Sequence, residues 1–144
     1  MRPLPKDLPP PIQEPSPAAP LVLLVDDYAD AREMYGFYLG RRGYRVEEAA
    51  DGHEALDKAL ALSPDVILMD LSLPGIDGWE LARILKGDGR TSAIPIIALT
   101  AHALHGEQAR ALEAGCDAFV TKPCLPHALA DELARVLQGA GLRS

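Results

Sequence analysis

VILMDLSLPGIDGWEL, residues 66–81, runs four apolar residues straight into Asp70 and then breaks at Pro74-Gly75. A short, uniformly apolar run is how a strand reads when both of its faces are covered, as in a parallel sheet. The same pattern recurs in LVLLV (21–25) and IPIIAL (94–99). Pro95 sits near the start of its run, where a missing ladder donor is tolerated. YRVEEA (44–49) differs, because Tyr44 and Val46 alternate with charges, which predicts an edge strand. AFVT (118–121) is a shorter fifth candidate.

Helical periods fill the gaps. Ala31, Met34, Tyr35 and Tyr38 follow an i, i+3, i+4, i+7 stripe, and Leu129, Leu133, Val136 and Leu137 do much the same. Between them lie HEALDKALAL (53–62), GWELARILK (78–86) and the weaker HGEQARALEAG (105–115), with Gly115 as a C-terminal stop. Pro126 suits a helix first turn. Strand and helix alternate five times, which predicts an α/β fold, (βα)5, with parallel strands and helices on both faces. In such sheets the working site lies outside the carboxyl ends of the strands.

The chain has 144 residues, 48% of them hydrophobic, which is material for one domain. A formal charge of −7 argues against nucleic acid as a direct partner. No apolar run is long enough to predict a membrane span, and prolines interrupt any signal-peptide core. Residues 1–20 hold eight of the thirteen prolines and read as an extended tail or linker, with the domain over 21–139 and a short tail at 140–144. Cys116 and Cys124 have no metal-binding or redox spacing and read as plain thiols in a reducing cytoplasm.

Reactive side chains gather where the apolar runs end. Asp26 and Asp27 come directly after the first run, Asp70 after the third, Thr100 after the fourth and Lys122 after the fifth. A parallel sheet projects all five from one rim. Two carboxylates about 4 Å apart repel by roughly 1 kcal/mol in water and about 4 kcal/mol at an effective dielectric near 20, so three together would be protonated or splayed unless a cation joined them. Oxygen ligands without His or Cys favour Mg²⁺. Lys122 is a point-charge partner for carboxylate or phosphate oxygens. The chemistry that uses this set is in-line phosphoryl transfer to a carboxylate, with Asp70 as nucleophile.

LLVDD, VILMDLSLPGIDGWEL, IPIIALTA and FVTKP, in this order, resemble a response-regulator receiver domain of two-component signalling. The resemblance covers Leu21 to about Leu137 and implies a flavodoxin-like sheet of order 2-1-3-4-5. It implies that Asp70 accepts phosphate from a sensor histidine kinase or a histidine phosphotransfer protein. Asp26, Asp27, Asp70 and the backbone carbonyl of Ser72 would hold Mg²⁺, Asp26 partly through water. Lys122 would contact the phosphoryl group, and Thr100 and Phe119 would switch. Ser72 and His102 would tune phosphate lifetime. A Lys122-Pro123 bond like this one is cis in receivers.

By the same resemblance the domain is a signalling phosphoacceptor rather than an enzyme, cytoplasmic, and a monomer or weak phosphorylation-dependent dimer. It would act on a downstream protein target through helix 4, strand 5 and helix 5, or relay its phosphate. With a chain end at Ser144, no output domain is expected after the last helix.

Two other readings of the same residues stand beside it. One is a phosphorylation-silent pseudo-receiver acting as an interaction module, although such domains usually lose a rim carboxylate or the lysine. The other is a Mg²⁺-dependent aspartyl-phosphate phosphatase, which wants a second Asp where Ser72 stands. Neither the Walker spacing nor a G-x-G-x-x-G motif occurs. His102 and His105 are spaced i, i+3 but read as surface residues, and Trp79 and Leu81 as packing.

Overall fold

The uniform apolar runs do become buried central strands. The computed structural model describes residues 16–100, 107–122 and 125–139. The strands are β1 (Leu21–Val25), β2 (Arg45–Ala49), β3 (Val66–Asp70), β4 (Ile96–Thr100) and β5 (Ala118–Thr121). The helices are α1 (Ala29–Arg41), α2 (Gly52–Leu62), α3 (Gly78–Gly87), α4 (Glu107–Glu113) and α5 (Pro126–Gly139). All pairings are parallel and the order is β2-β1-β3-β4-β5, as expected, with the charged strand β2 at one edge.

Alternation along each strand divides the core in two. Leu23, Ile67, Met69 and Ile96 face α2, α3 and α4. Val22, Leu24, Leu68 and Ile97 face α1 and α5, where Leu129, Leu133, Val136 and Leu137 are all buried as their stripe predicts. The α1 stripe needs correction. Tyr35 and Leu39 are its buried residues, with Ala31 and Tyr38 packed beside them, whereas Met34 is 47% exposed. The contact runs along i, i+4 and i+8, and Met34 falls off that line. β4 also begins two residues later than its apolar run; Pro95 stays outside the strand, offering only its carbonyl to the Ile67 amide (3.0 Å).

Caps fix the helix entries close to the rim. The Asp51 carboxylate accepts the Glu54 amide (2.8 Å) at the start of α2, and Asp77 accepts the Glu80 amide (2.8 Å) at the start of α3. Gly78 has a steric duty: a Cβ there would lie 2.6 Å from Leu71 Cα and 3.0 Å from the Asp70 carbonyl oxygen. Only glycine lets α3 begin against the end of β3. Gly115, at φ +104°, ends the turn after α4 as expected. Cys116 is a free, buried thiol, and burial, with Asp117 adding to it, pushes its pKa up to about 11. Residues 1–15, His102, His105, Pro123, Cys124 and the 140–144 tail lie outside the described residues.

Candidate functional site

Parallel strands bring the five rim residues together at the carboxyl end of the sheet. Asp26 directly follows β1, Asp70 and Thr100 are the last residues of β3 and β4, and Lys122 directly follows β5. Asp26 (0% exposed) and Asp70 (7%) are buried. Lys122 Nζ donates to Asp26 Oδ2 (2.7 Å) and to Asp70 Oδ2 (2.9 Å), so one ammonium ties the ends of β1 and β3. The remaining oxygens accept from the backbone two residues on: Asp26 Oδ1 from the Tyr28 amide (2.9 Å), Asp70 Oδ1 from the Ser72 amide (2.8 Å). Such local carboxylate-to-amide turns hold the side chains in place at a strand end.

Two opposing forces act on Lys122. Burial, the largest single influence, favours its neutral form, but the hydrogen bonds and charges of Asp26 and Asp70 together outweigh it and raise its pKa above the ordinary lysine value. The amine is therefore an ammonium throughout the physiological range.

Asp27 completes the acidic set. It is exposed at the mouth of the site, and one carboxylate oxygen from each of Asp26, Asp27 and Asp70 lies within 4.8 Å of the others. Three carboxylates against one ammonium leave two negative charges uncompensated. The donors in this cluster are all hard oxygens, and the set lacks the imidazole or thiolate that Zn²⁺ sites use, so it fits a hard divalent cation. Ser72 is exposed beside it.

Thr100 is buried at 2% exposure. By strand alternation it lies on the same side of the sheet as Ile96 and Ala98, the side where Phe119 packs half-buried. The Lys122 amide donates to the Thr100 carbonyl (2.6 Å), so the ends of β4 and β5 are tied at the same rim.

Some features of the site leave no trace in the sequence pattern. The Arg32 guanidinium donates to the Asp26 carbonyl (2.7 Å), and the Gly78 contact places the start of α3 directly against the end of β3. Farther out, the Arg110 guanidinium stacks 4.0 Å from the Trp79 ring centroid and joins α4 to α3. Trp79 is thus half-buried packing, as expected, though its Nε1 is buried with no hydrogen-bond partner among the described residues.

The response regulator receiver domain family model matches residues 22–134. The phosphate regulon transcriptional regulatory protein PhoB of Pseudomonas aeruginosa is 42% identical over 120 residues, covering 83% of this chain and 52% of that protein. The polar-differentiation response regulator DivK of Brucella anthropi is 37% identical over 102 residues, covering 71% of this chain and 83% of that one. This chain thus spans about half the length of the PhoB relative and most of DivK. Among solved structures, the chemotaxis response regulator CheY4 of Vibrio cholerae superposes with a TM-score of 0.79 at 34% identity, over 83% of this chain and 99% of that one. Among the described residues no helix is long and apolar enough to cross a membrane. With the strand order, the acidic rim and these likenesses in agreement, the chain belongs to the response regulator receiver domain family of two-component signalling.

Proposed function

We propose that residues 21–139 form a phosphorylatable switch in which Asp70 accepts a phosphoryl group from a phosphohistidine, on either a sensor histidine kinase or a histidine phosphotransfer protein. The observation that carries this reading is the pairing of Asp70 and Asp26 on Lys122, with Asp27 within 4.8 Å at the open rim. Asp26, Asp27, Asp70 and the backbone carbonyl of Ser72 would hold Mg²⁺. When bound, the cation supplies positive charge to the phosphoryl oxygens.

The chain's own residues do the rest. An Asp70 oxygen attacks phosphorus as the bond to the histidine nitrogen breaks, and the imidazole leaves with the electron pair. Lys122 already lies 2.9 Å from Asp70 and can turn its ammonium to the incoming oxygens, replacing a carboxylate partner with a phosphoryl one. Thr100 then donates its hydroxyl to the new group, and Phe119, on the same side of the sheet, moves inward behind it. That movement would alter the surface of α4, β5 and α5, where a protein partner reads it. Ser72 and His102 would tune how long the phosphate lasts. The reading places the domain in the cytoplasm, as a monomer or a weak phosphorylation-dependent dimer.

Beryllofluoride, a phosphoryl mimic, tests the site without a kinase. Fluorine resonances of the bound mimic should appear only when Mg²⁺ is present and should vanish in Asp70→Asn. A bound signal that survives in that variant would place the acceptor elsewhere.

A further inference from the structure

Arg32 stands on α1, little more than one turn beyond the acidic pair. Its Nη1 donates to the Asp26 main-chain carbonyl (2.7 Å), and its Nε lies 3.3 Å from Glu48 Oε1 on β2. The arginine side chain is largely covered, whereas Glu48 is half-exposed. Gly36, one turn farther along α1, would bring even a Cβ no closer than 3.7 Å to Glu48 Oε2, so the glutamate lies along the helix with ordinary clearance.

The consequence lies in the backbone of the acidic pair. The Asp26 amide donates to the Ala49 carbonyl (3.1 Å), while the Asp26 carbonyl accepts from Arg32. Because a peptide group is planar, fixing that carbonyl fixes the plane that joins Asp26 to Asp27. Asp26 is held further by Tyr28 and Lys122, whereas Asp27 is exposed, and the plane of that peptide sets the point from which its side chain leaves the main chain.

We propose that Arg32 is a positioning residue for the cation site: by hydrogen-bonding the Asp26 carbonyl it sets the Asp26–Asp27 peptide and so aims Asp27, with Glu48 balancing its charge. This rests on reading the rim as a Mg²⁺ site. It differs in sign from what simple electrostatics gives. Removing a positive charge near a cation site tightens cation binding by Coulomb's law alone, whereas removing a group that orients a ligand weakens it.

Titration calorimetry with Mg²⁺ on the unmodified chain, Arg32→Met, Arg32→Lys and Glu48→Gln separates the two, with melting in chelator as the control on folding. Arg32→Met should bind Mg²⁺ about tenfold more weakly, the lower end of the loss seen when a ligand's supporting partner is removed. Arg32→Lys, which can still reach the carbonyl with one donor, should recover part of that loss. Glu48→Gln, which loosens the pair at its exposed end, should cost about two- to threefold. Equal or tighter binding by Arg32→Met overturns the proposal, and if that variant does not fold, an Arg32→Lys affinity equal to that of the unmodified chain does so, since that change keeps the charge and alters only the hydrogen-bond geometry. Failure of the unmodified chain to bind Mg²⁺ overturns the metal-site reading and the proposal with it.

Discussion

Replacing Asp27 with Asn should make the cation-free protein more stable and the cation-loaded protein less stable, so that two melting curves exchange order. An oxygen of Asp27 lies within 4.8 Å of one from Asp26 and one from Asp70. Like charges at that separation repel by about 0.9 kcal/mol at the dielectric of water and about 3.5 kcal/mol at an effective value of 20. The exposure of Asp27 favours the lower figure, and attraction to Lys122 offsets part of it. The net gain on neutralising Asp27 is then about 1 kcal/mol, or about 3–6 °C in melting temperature for a domain of this size. Binding Mg²⁺ at a hundred times its dissociation constant stabilises the unmodified protein by about 2.7 kcal/mol. Asp27→Asn, which leaves two carboxylates of the three-Asp cluster, should forgo most of that. Circular dichroism melts in chelator and in Mg²⁺ read both effects. Asp27→Asn melting below the unmodified protein in chelator, or Mg²⁺ raising both melting points equally, would rule out this role for the Asp27 charge.

Gly78→Ala places a methyl group 2.6 Å from Leu71 Cα, and urea unfolding should show a loss of about 1–3 kcal/mol as α3 is forced off the end of β3. Lys122→Met should destabilise the protein near neutral pH by about 1–3 kcal/mol, since it leaves the buried Asp26 and Asp70 without their shared donor. Because the folded protein raises the Lys122 pKa, that contribution is fully present below the ordinary lysine value of 10.5 and is lost as pH rises through the raised one. The stability gap between the unmodified protein and Lys122→Met should therefore stay constant from pH 7 to 10 and narrow only in stronger alkali. In a Cys124→Ser background, a thiol reagent at pH 8 should modify Cys116 only at the rate of unfolding, because its thiol is buried and its pKa stands at about 11; rapid labelling of the folded protein would show that site to be open.

The sheet is legible in the sequence because burial on both faces leaves strands with no polar positions, so β1, β3 and most of β4 announce themselves as apolar blocks. Strand ends are legible for the opposite reason: Asp26, Asp70, Thr100 and Lys122 interrupt those blocks with polar chemistry, and parallel pairing brings them to one rim. Met34 misleads because its spacing from Ala31 fits a helical stripe equally well, and only packing against the sheet decides which line is buried. Arg32 and Gly78 escape notice for a deeper reason. One binds a main-chain carbonyl and the other makes room for a main-chain Cα, and every residue type carries those atoms. The amide turns that hold Asp26 and Asp70 are hidden in the same way.

Asp70 is proposed as the phosphoacceptor of a cation-dependent site. Intact mass after brief incubation with acetyl phosphate tests it most directly, comparing Mg²⁺ with chelator and the unmodified chain with Asp70→Asn. A single phosphoryl adduct that requires both Mg²⁺ and Asp70 is the predicted result. An adduct that persists in chelator or in Asp70→Asn would rule out Asp70 as a cation-dependent acceptor.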